Sequence, residues 1–350
     1  MNISAMALFS FLAGLGITFF SWPDAIGGAI TIRWAWGLAI LPIFALWGEA
    51  KTIQIWLLIF VAWAFWCVLK APYAPEALYA ASYWAIIYVG TLAGQTARID
   101  LISRAAALGL IPSVLFAVAY YLGIPHWECA AYPCGTFVNK NILGEICVLV
   151  LVGGLLSDRR YWWVYLIPLA GALLSQSRSV AICLCILVPW VLFRVGHHRF
   201  AACICFVAAA FLGYSISTRG FETLGHRGRI WLDTINAVTW TGAGTGSFRI
   251  NFPSFALAES TLRERPDHAH NDFLEIAYEQ GLIGIALIAP FILGLARKSR
   301  EYGGVFLASL MVLCLLNFPL HMPATAIYAA LFIGHILAYR PMGRDDQHSG

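Results

Sequence analysis

Charge is what this sequence has least of. Only 11% of its 350 residues are Asp, Glu, Lys or Arg, against 60% hydrophobic, and the mean hydropathy is +0.75. A soluble domain runs near a quarter charged because its surface must meet water. A chain this poor in charge cannot cover such a surface, so lipid must be the solvent for most of it. Ten-residue runs of alternating polarity are also missing, which excludes a membrane β-barrel. The first apolar run has no basic start and no A-x-A-like site, so it reads as an anchor and not as a cleaved signal peptide. Metal signatures are lacking too: there is no H-E-x-x-H helix, no CxxC pair and no Cys/His zinc spacing.

What is present is a succession of apolar runs, each about long enough for the roughly 17–25 helical residues that cross a ~30 Å hydrocarbon core. They predict an all-α, polytopic integral membrane protein of about 12 transmembrane helices, forming a single membrane domain over 1–350. The spans fall near 5–21, 28–48, 52–69, 75–95, 104–123, 141–157, 161–176, 179–195, 199–217, 273–295, 303–318 and 322–339. With a cytoplasmic N-terminus, the inner segments hold Lys51, Arg98, Arg104, Arg159, Arg160, Arg194, Arg199, Arg297, Lys298, Arg300, Arg340 and Arg344. The short outer segments hold only Arg33, Lys70, Lys140 and Arg178. Positive charge favours the inner side, so the long loop at 218–272, with its six arginines, faces outward and carries part of the site. Seven of the nine cysteines fall in spans, where thiols act as small apolar groups. Cys129 and Cys134 lie in the outer loop 124–140 and are expected to pair if that compartment is oxidising.

Four outward places carry polar chemistry that a bilayer protein otherwise avoids. Gly135-Thr136-Phe137-Val138-Asn139-Lys140-Asn141 runs into a span; Asn141 serves as an N-cap, which leaves Asn139 and Lys140 unexplained. Ser175-Gln176-Ser177-Arg178-Ser179 puts Arg178 at the positive end of a helix dipole, a poor place for a cation unless an anion sits beside it. Gly225-His226-Arg227-Gly228-Arg229-Ile230-Trp231 is followed by Gly242-Ala243-Gly244-Thr245-Gly246-Ser247-Phe248. That glycine run has no Lys behind it for a nucleotide phosphate, and its expected use is a tight turn that brings backbone close to another element. Last comes Arg265-Pro266-Asp267-His268-Ala269-His270-Asn271-Asp272-Phe273-Leu274-Glu275, where D-x-x-E starts a helix at Phe273 and places His270 before a helix N-terminus. Surface histidines capping a loop are the plain alternative, and two histidines beside carboxylates as metal ligands a weaker one.

Taken in order, these pieces resemble the O-antigen ligase and O-antigen polymerase superfamily of bacterial envelope proteins. The resemblance rests on G-T-F-x-N-x-N at 135–141, Ser177-Arg178, Gly228-Arg229-Ile230-Trp231, G-x-G-x-G-x-F at 242–248, H-N-x-x-L from His270, and Glu279-Gln280-Gly281. One departure is Ile182 where the family's R-x-x-x-L spacing has Leu. The resemblance implies an inverting glycosyltransferase that moves a glycan from undecaprenyl pyrophosphate to an acceptor hydroxyl, such as a lipid A core sugar. It implies no cofactor, no metal and no nucleic acid, and places the enzyme in the bacterial inner membrane with its active site facing the periplasm. The catalytic residues it implies are His270, Arg178 and Arg229. Asn139, Lys140, Asn141, Arg227, Arg265, His268 and Asn271 are the expected substrate-binding set around them. Whether His270 acts as base or as a pyrophosphate ligand stays open at this point. A polymerase using the same donor is the nearest alternative; a polysaccharide or lipid transporter would instead put polar groups mid-bilayer in repeated, interrupted helices.

Overall fold

The computed structural model describes residues 3–19, 41–42, 44–46, 48–124, 135–137, 139–194, 222–257, 266–300 and 302–339. Among the described residues the chain is helical throughout, with no strand. The α-helices are α1 (Ile3–Phe19), α2 (Thr52–Cys67), α3 (Ala74–Ala93), α4 (Ile99–Gly109), α5 (Ile111–Tyr121), α6 (Lys140–Ser157) and α7 (Leu166–Leu174). They continue with α8 (Arg178–Arg194), α9 (Glu222–Ala237), α10 (Phe248–Phe255), α11 (Asp272–Glu279), α12 (Gly281–Ser299), α13 (Gly304–Leu316) and α14 (Pro323–Ala338). Short 3-10 turns lie at Val68–Lys70, Arg159–Tyr165 and Pro319–His321.

Four stretches are long and apolar enough to cross a membrane: Thr52–Lys70, Ile99–Tyr121, Lys140–Ser157 and Gly281–Ser299. Shorter apolar helices cover Met6–Thr18, Arg178–Leu187, Gly304–Leu316 and Pro323–Ala338. Helix α6 is the axis of the bundle, buried at every residue from Ile142 to Gly154, with α7, α8, α13 and α14 packed around it. Lipid tails are as apolar as leucine, so close helix packing must come from small residues. A Cβ on Gly334 would lie 2.2 Å from the Thr91 carbonyl, and one on Gly94 only 1.9 Å from that of Leu331, so α3 and α14 pack backbone to backbone.

Several expected spans are redrawn. Residues 161–176 hold a 3-10 turn and the nine-residue α7, only ~14 Å of helix at 1.5 Å per residue. The run at 273–295 breaks at Gln280, because Gly281 takes φ +76, and the span-length helix starts at Gly281. The run at 104–123 begins earlier, at Ile99, and is jointed at Leu110 ahead of Pro112. The expected span near 199–217 lies outside the described residues, as do most of 28–48, the pair Cys129 and Cys134, and Arg265.

Candidate functional site

The site is assembled by α11, a helix of eight residues. Its N-cap is Asn271, whose side-chain oxygen accepts from the Leu274 N–H at 3.0 Å. Cap and helix start therefore sit earlier than the D-x-x-E pattern implied, and Asp272 is released for another task. Asp272 is wholly buried and accepts from the Leu320 N–H at 3.1 Å and from His321 Nδ1 at 2.7 Å. One turn on, Glu275 accepts from His268 Nδ1 and from the Ala269 N–H, both at 2.8 Å.

The glycine run anchors the other end of α11. Gly242, Gly244 and Gly246 have φ of +73, +112 and +71, values that glycine adopts without strain. The Ala243 and Gly244 N–H groups donate to the Tyr278 and Glu279 carbonyls at 2.9 and 3.0 Å. The Glu279 carboxylate in turn accepts from the Gly246 and Phe248 N–H groups at 2.9 and 3.1 Å. A Cβ on Gly242 would lie 2.2 Å from the Glu279 carbonyl, so the run is a close-approach turn stitched to E-Q-G.

Between these anchors His270 is held in a conformation it would not choose. Its φ is +54, and Gln176, at +48, is the only other non-glycine residue with positive φ among the described residues. Strained backbone persists only where the surroundings over-determine it, and it collects at functional sites. The Ala269 peptide beside His270 is pinned at both ends, its N–H on Glu275 and its C=O accepting from Trp231 Nε1 at 2.9 Å. The buried Nδ1 of His270 has no hydrogen-bond partner. Burial first, and then the Arg227 guanidinium, pull the imidazole's pKa down to about 4, so it is neutral at physiological pH.

Arg178 opens α8, directly after the strained Gln176 turn. Arg227 and Arg229 both lie on α9, two residues apart and hence about 200° around the helix. Arg229 is on the exposed side; Arg227 turns inward and donates to the Leu316 carbonyl at 2.7 Å. Desolvation lowers the Arg227 pKa; the Glu145 carboxyl opposes that effect and Arg178 adds to it. Arg178, Arg227 and His270 therefore form one electrostatic neighbourhood with Glu145. Of the two arginines expected at the site, Arg227 faces inward and Arg229 lies on the exposed side, a difference that spacing alone did not give.

The remaining expected residues fall as follows. Asn139, not Asn141, is the N-cap of α6, its side chain accepting from the Asn141 N–H at 2.8 Å; Lys140 is the first helical residue. His268 stacks on Phe318 at 4.3 Å between ring centroids. His268, Glu275 and His321 bring three donor atoms within 4.8 Å of one another, close enough to hold a cation; His268 hydrogen-bonds to Glu275 within that cluster, and His321 Nδ1 to Asp272 beside it. Burial would lower His321, yet Glu275 and Asp272 raise it to about 10, so an imidazolium lies between two carboxyls. Sequence reasoning passed over Glu145, Asn317 and His321. Their only signal was polarity at the ends of apolar runs, which is also what ordinary helix ends show.

Residues 163–289, which contain Arg178, Arg227 and His270, match a family model described as O-antigen ligase. No curated protein matches the sequence closely. Glu145 on α6 and the 316–321 turn lie outside the matched stretch but are packed against it. That match supports membership of the O-antigen ligase superfamily, on a scaffold that is all-helical among the described residues and has helices long and apolar enough to cross a membrane.

Proposed function

We propose that the protein joins a glycan, carried on undecaprenyl pyrophosphate, to an acceptor hydroxyl such as a lipid A core sugar, with inversion, at the periplasmic face of the bacterial inner membrane. The observation that carries this reading is the meeting of two arginines with a strained, neutral histidine whose ring nitrogen has no partner. In the reaction, the acceptor oxygen attacks the anomeric carbon as the bond to pyrophosphate breaks. Negative charge grows on the leaving group, where Arg178 and Arg227 offer forked, charge-assisted hydrogen bonds. The hydroxyl proton passes to His270, which must be neutral to accept it. The scheme draws no charge stabilisation from a divalent cation, because two guanidinium groups supply it.

The deciding experiment is gel analysis of lipopolysaccharide from a deletion strain. Loss of all polymer bands with carrier-linked glycan accumulating supports ligation; core bearing a single repeat unit means polymerisation; an unchanged profile overturns both. Purified protein is expected to keep its activity in EDTA. Activity that vanishes in EDTA and returns with a divalent cation would assign the His268, Glu275 and His321 cluster to a metal.

A further inference from the structure

The segments that hold the proposed centre meet at one short stretch, residues 316–321, where α13 ends and the chain turns into α14. The Leu316 carbonyl accepts from Arg227. Asn317 donates through Nδ2 to Ser179 Oγ at 2.8 Å, in the first turn of the Arg178 helix, and its side chain also hydrogen-bonds to Glu145 of α6. Phe318 stacks on His268 and lies 5.2 Å, centroid to centroid, from the His270 ring. Leu320 and His321 hold Asp272 at the start of α11.

Asn317 is 2% exposed, and its side chain caps no helix of its own. The amide has two N–H donors; one goes to Ser179 of α8, and the side chain also engages the Glu145 carboxyl of α6. Glu145 explains why this matters. It is a carboxyl buried inside a membrane helix, attracted to Arg227, and a buried acid must find a partner. With the Asn317 amide in place Glu145 has a partner; without it the cation that acts on Glu145 is Arg227, the guanidinium assigned above to the pyrophosphate.

We propose that Asn317 is a positioning residue of the anion clamp: it engages Glu145 and the first turn of the Arg178 helix, which leaves Arg227 turned toward the substrate. This rests on the pyrophosphate-linked donor proposed above. Asn317→Asp removes the donor and adds a second acid, so Arg227 is drawn into an internal ion pair. Asn317→Asp combined with Glu145→Gln restores one acid and one amide in exchanged places.

The readout is the inhibition constant of inorganic pyrophosphate against glycan transfer, measured on the purified full-length protein in lipid nanodiscs. That constant does not depend on how much of the protein is active, so partial misfolding leaves it unmoved. Asn317→Asp is expected to raise it roughly tenfold, the scale of one charge-assisted hydrogen bond, and the double exchange to recover most of that. An unchanged constant in Asn317→Asp, or one equally raised in the double variant, overturns the proposal. If Asn317→Asp does not reach the membrane, Asn317→Ser is measured in its place and read the same way. A wild-type protein that neither transfers glycan nor responds to pyrophosphate overturns the proposed function; a responsive wild type whose variants keep the same inhibition constant overturns only the role of Asn317.

Discussion

The two ends of α6 are built from the same kinds of residue and arranged in opposite ways. At the Ser157 end Arg104 is shared between two acids. Arg104 Nε lies 2.5 Å from Asp158 and its Nη2 3.4 Å from Asp100, which also pairs with Arg98 at 2.8 Å. The Arg104 guanidinium also covers the Tyr161 ring, 4.1 Å from its centroid. At the Asn139 end Arg227 lies within the field of a second cation, Arg178, and of the Glu145 carboxyl, and His270 Nδ1 and Asn317 Oδ1 are buried without hydrogen-bond partners. Buried polar groups are normally satisfied, so each exception needs a reason. One end reads as a clasp that finishes a helix. The other reads as a place that is completed by something not in the chain.

That contrast breaks most visibly at its centre. Arg178→Ala, Arg227→Ala and His270→Ala are each expected to lower transfer by about 10²-fold or more, the scale of losing one group that stabilises developing charge. Arg178→Lys should fail nearly as badly, because an ammonium cannot reproduce a planar fork. Transfer assays at equal membrane content check all four. An Arg227→Ala variant with near-normal turnover would remove the arginine pair from the scheme.

The pH profile sharpens the comparison further. Burial and Arg227 hold His270 near 4 in the free protein, below the usual 6.5, so it is neutral over the physiological range. The acid limb of kcat/KM, which reports the free enzyme, is therefore expected well below pH 6.5. A bound pyrophosphate favours the imidazolium, so the limb in kcat should lie at higher pH. Stability follows the same sign: the unfolded chain takes up this proton first, so the contribution of neutral His270 is whole above about 6.5 and falls as pH drops toward 4. Coincident limbs near 6.5 in both profiles would detach His270 from proton transfer.

At the paired end the effect should fall on stability alone. Arg104→Met strips Asp158 and Asp100 of a partner and is expected to cost about 1–3 kcal/mol. It should appear as a lower unfolding midpoint in micelles, with the pyrophosphate inhibition constant unmoved. Arg229→Ala, on the exposed side of α9, is the smallest change, expected within about 0.5 kcal/mol in stability and a few-fold in turnover. If Arg229→Ala proved more damaging than Arg227→Ala, the inward and outward assignments would be reversed.

Much of this was legible in the sequence, for physical reasons. Lack of charge and runs of span length pointed to a helical membrane protein, and the order of polar motifs to the family whose model residues 163–289 match. The glycine run was read as a close-approach turn, and it is one. Fine register was not legible. Asn139 and Asn141 can both cap, as can Asn271 and Asp272, and only the hydrogen bonds decide between them. Arg227 and Arg229 differ by half a helical turn, which no local spacing resolves without knowing what α9 packs against. Asn317 and His321 were invisible because their partners, Ser179, Glu145 and Asp272, are distant in sequence.

The turn at 316–321 has a consequence for anyone who would treat the matched stretch as a portable module. A graft of residues 163–289 into another helical scaffold would carry Arg178, Arg227 and His270 along. It would leave behind the Leu316 carbonyl, the Asn317 amide, the Phe318 ring and His321, together with Glu145 on the helix before it. Such a chimaera would contain the reactive groups without the frame that aims them. The smallest transplantable unit is therefore bounded by contacts and not by sequence similarity, and it runs at least from α6 through the first turn of α14.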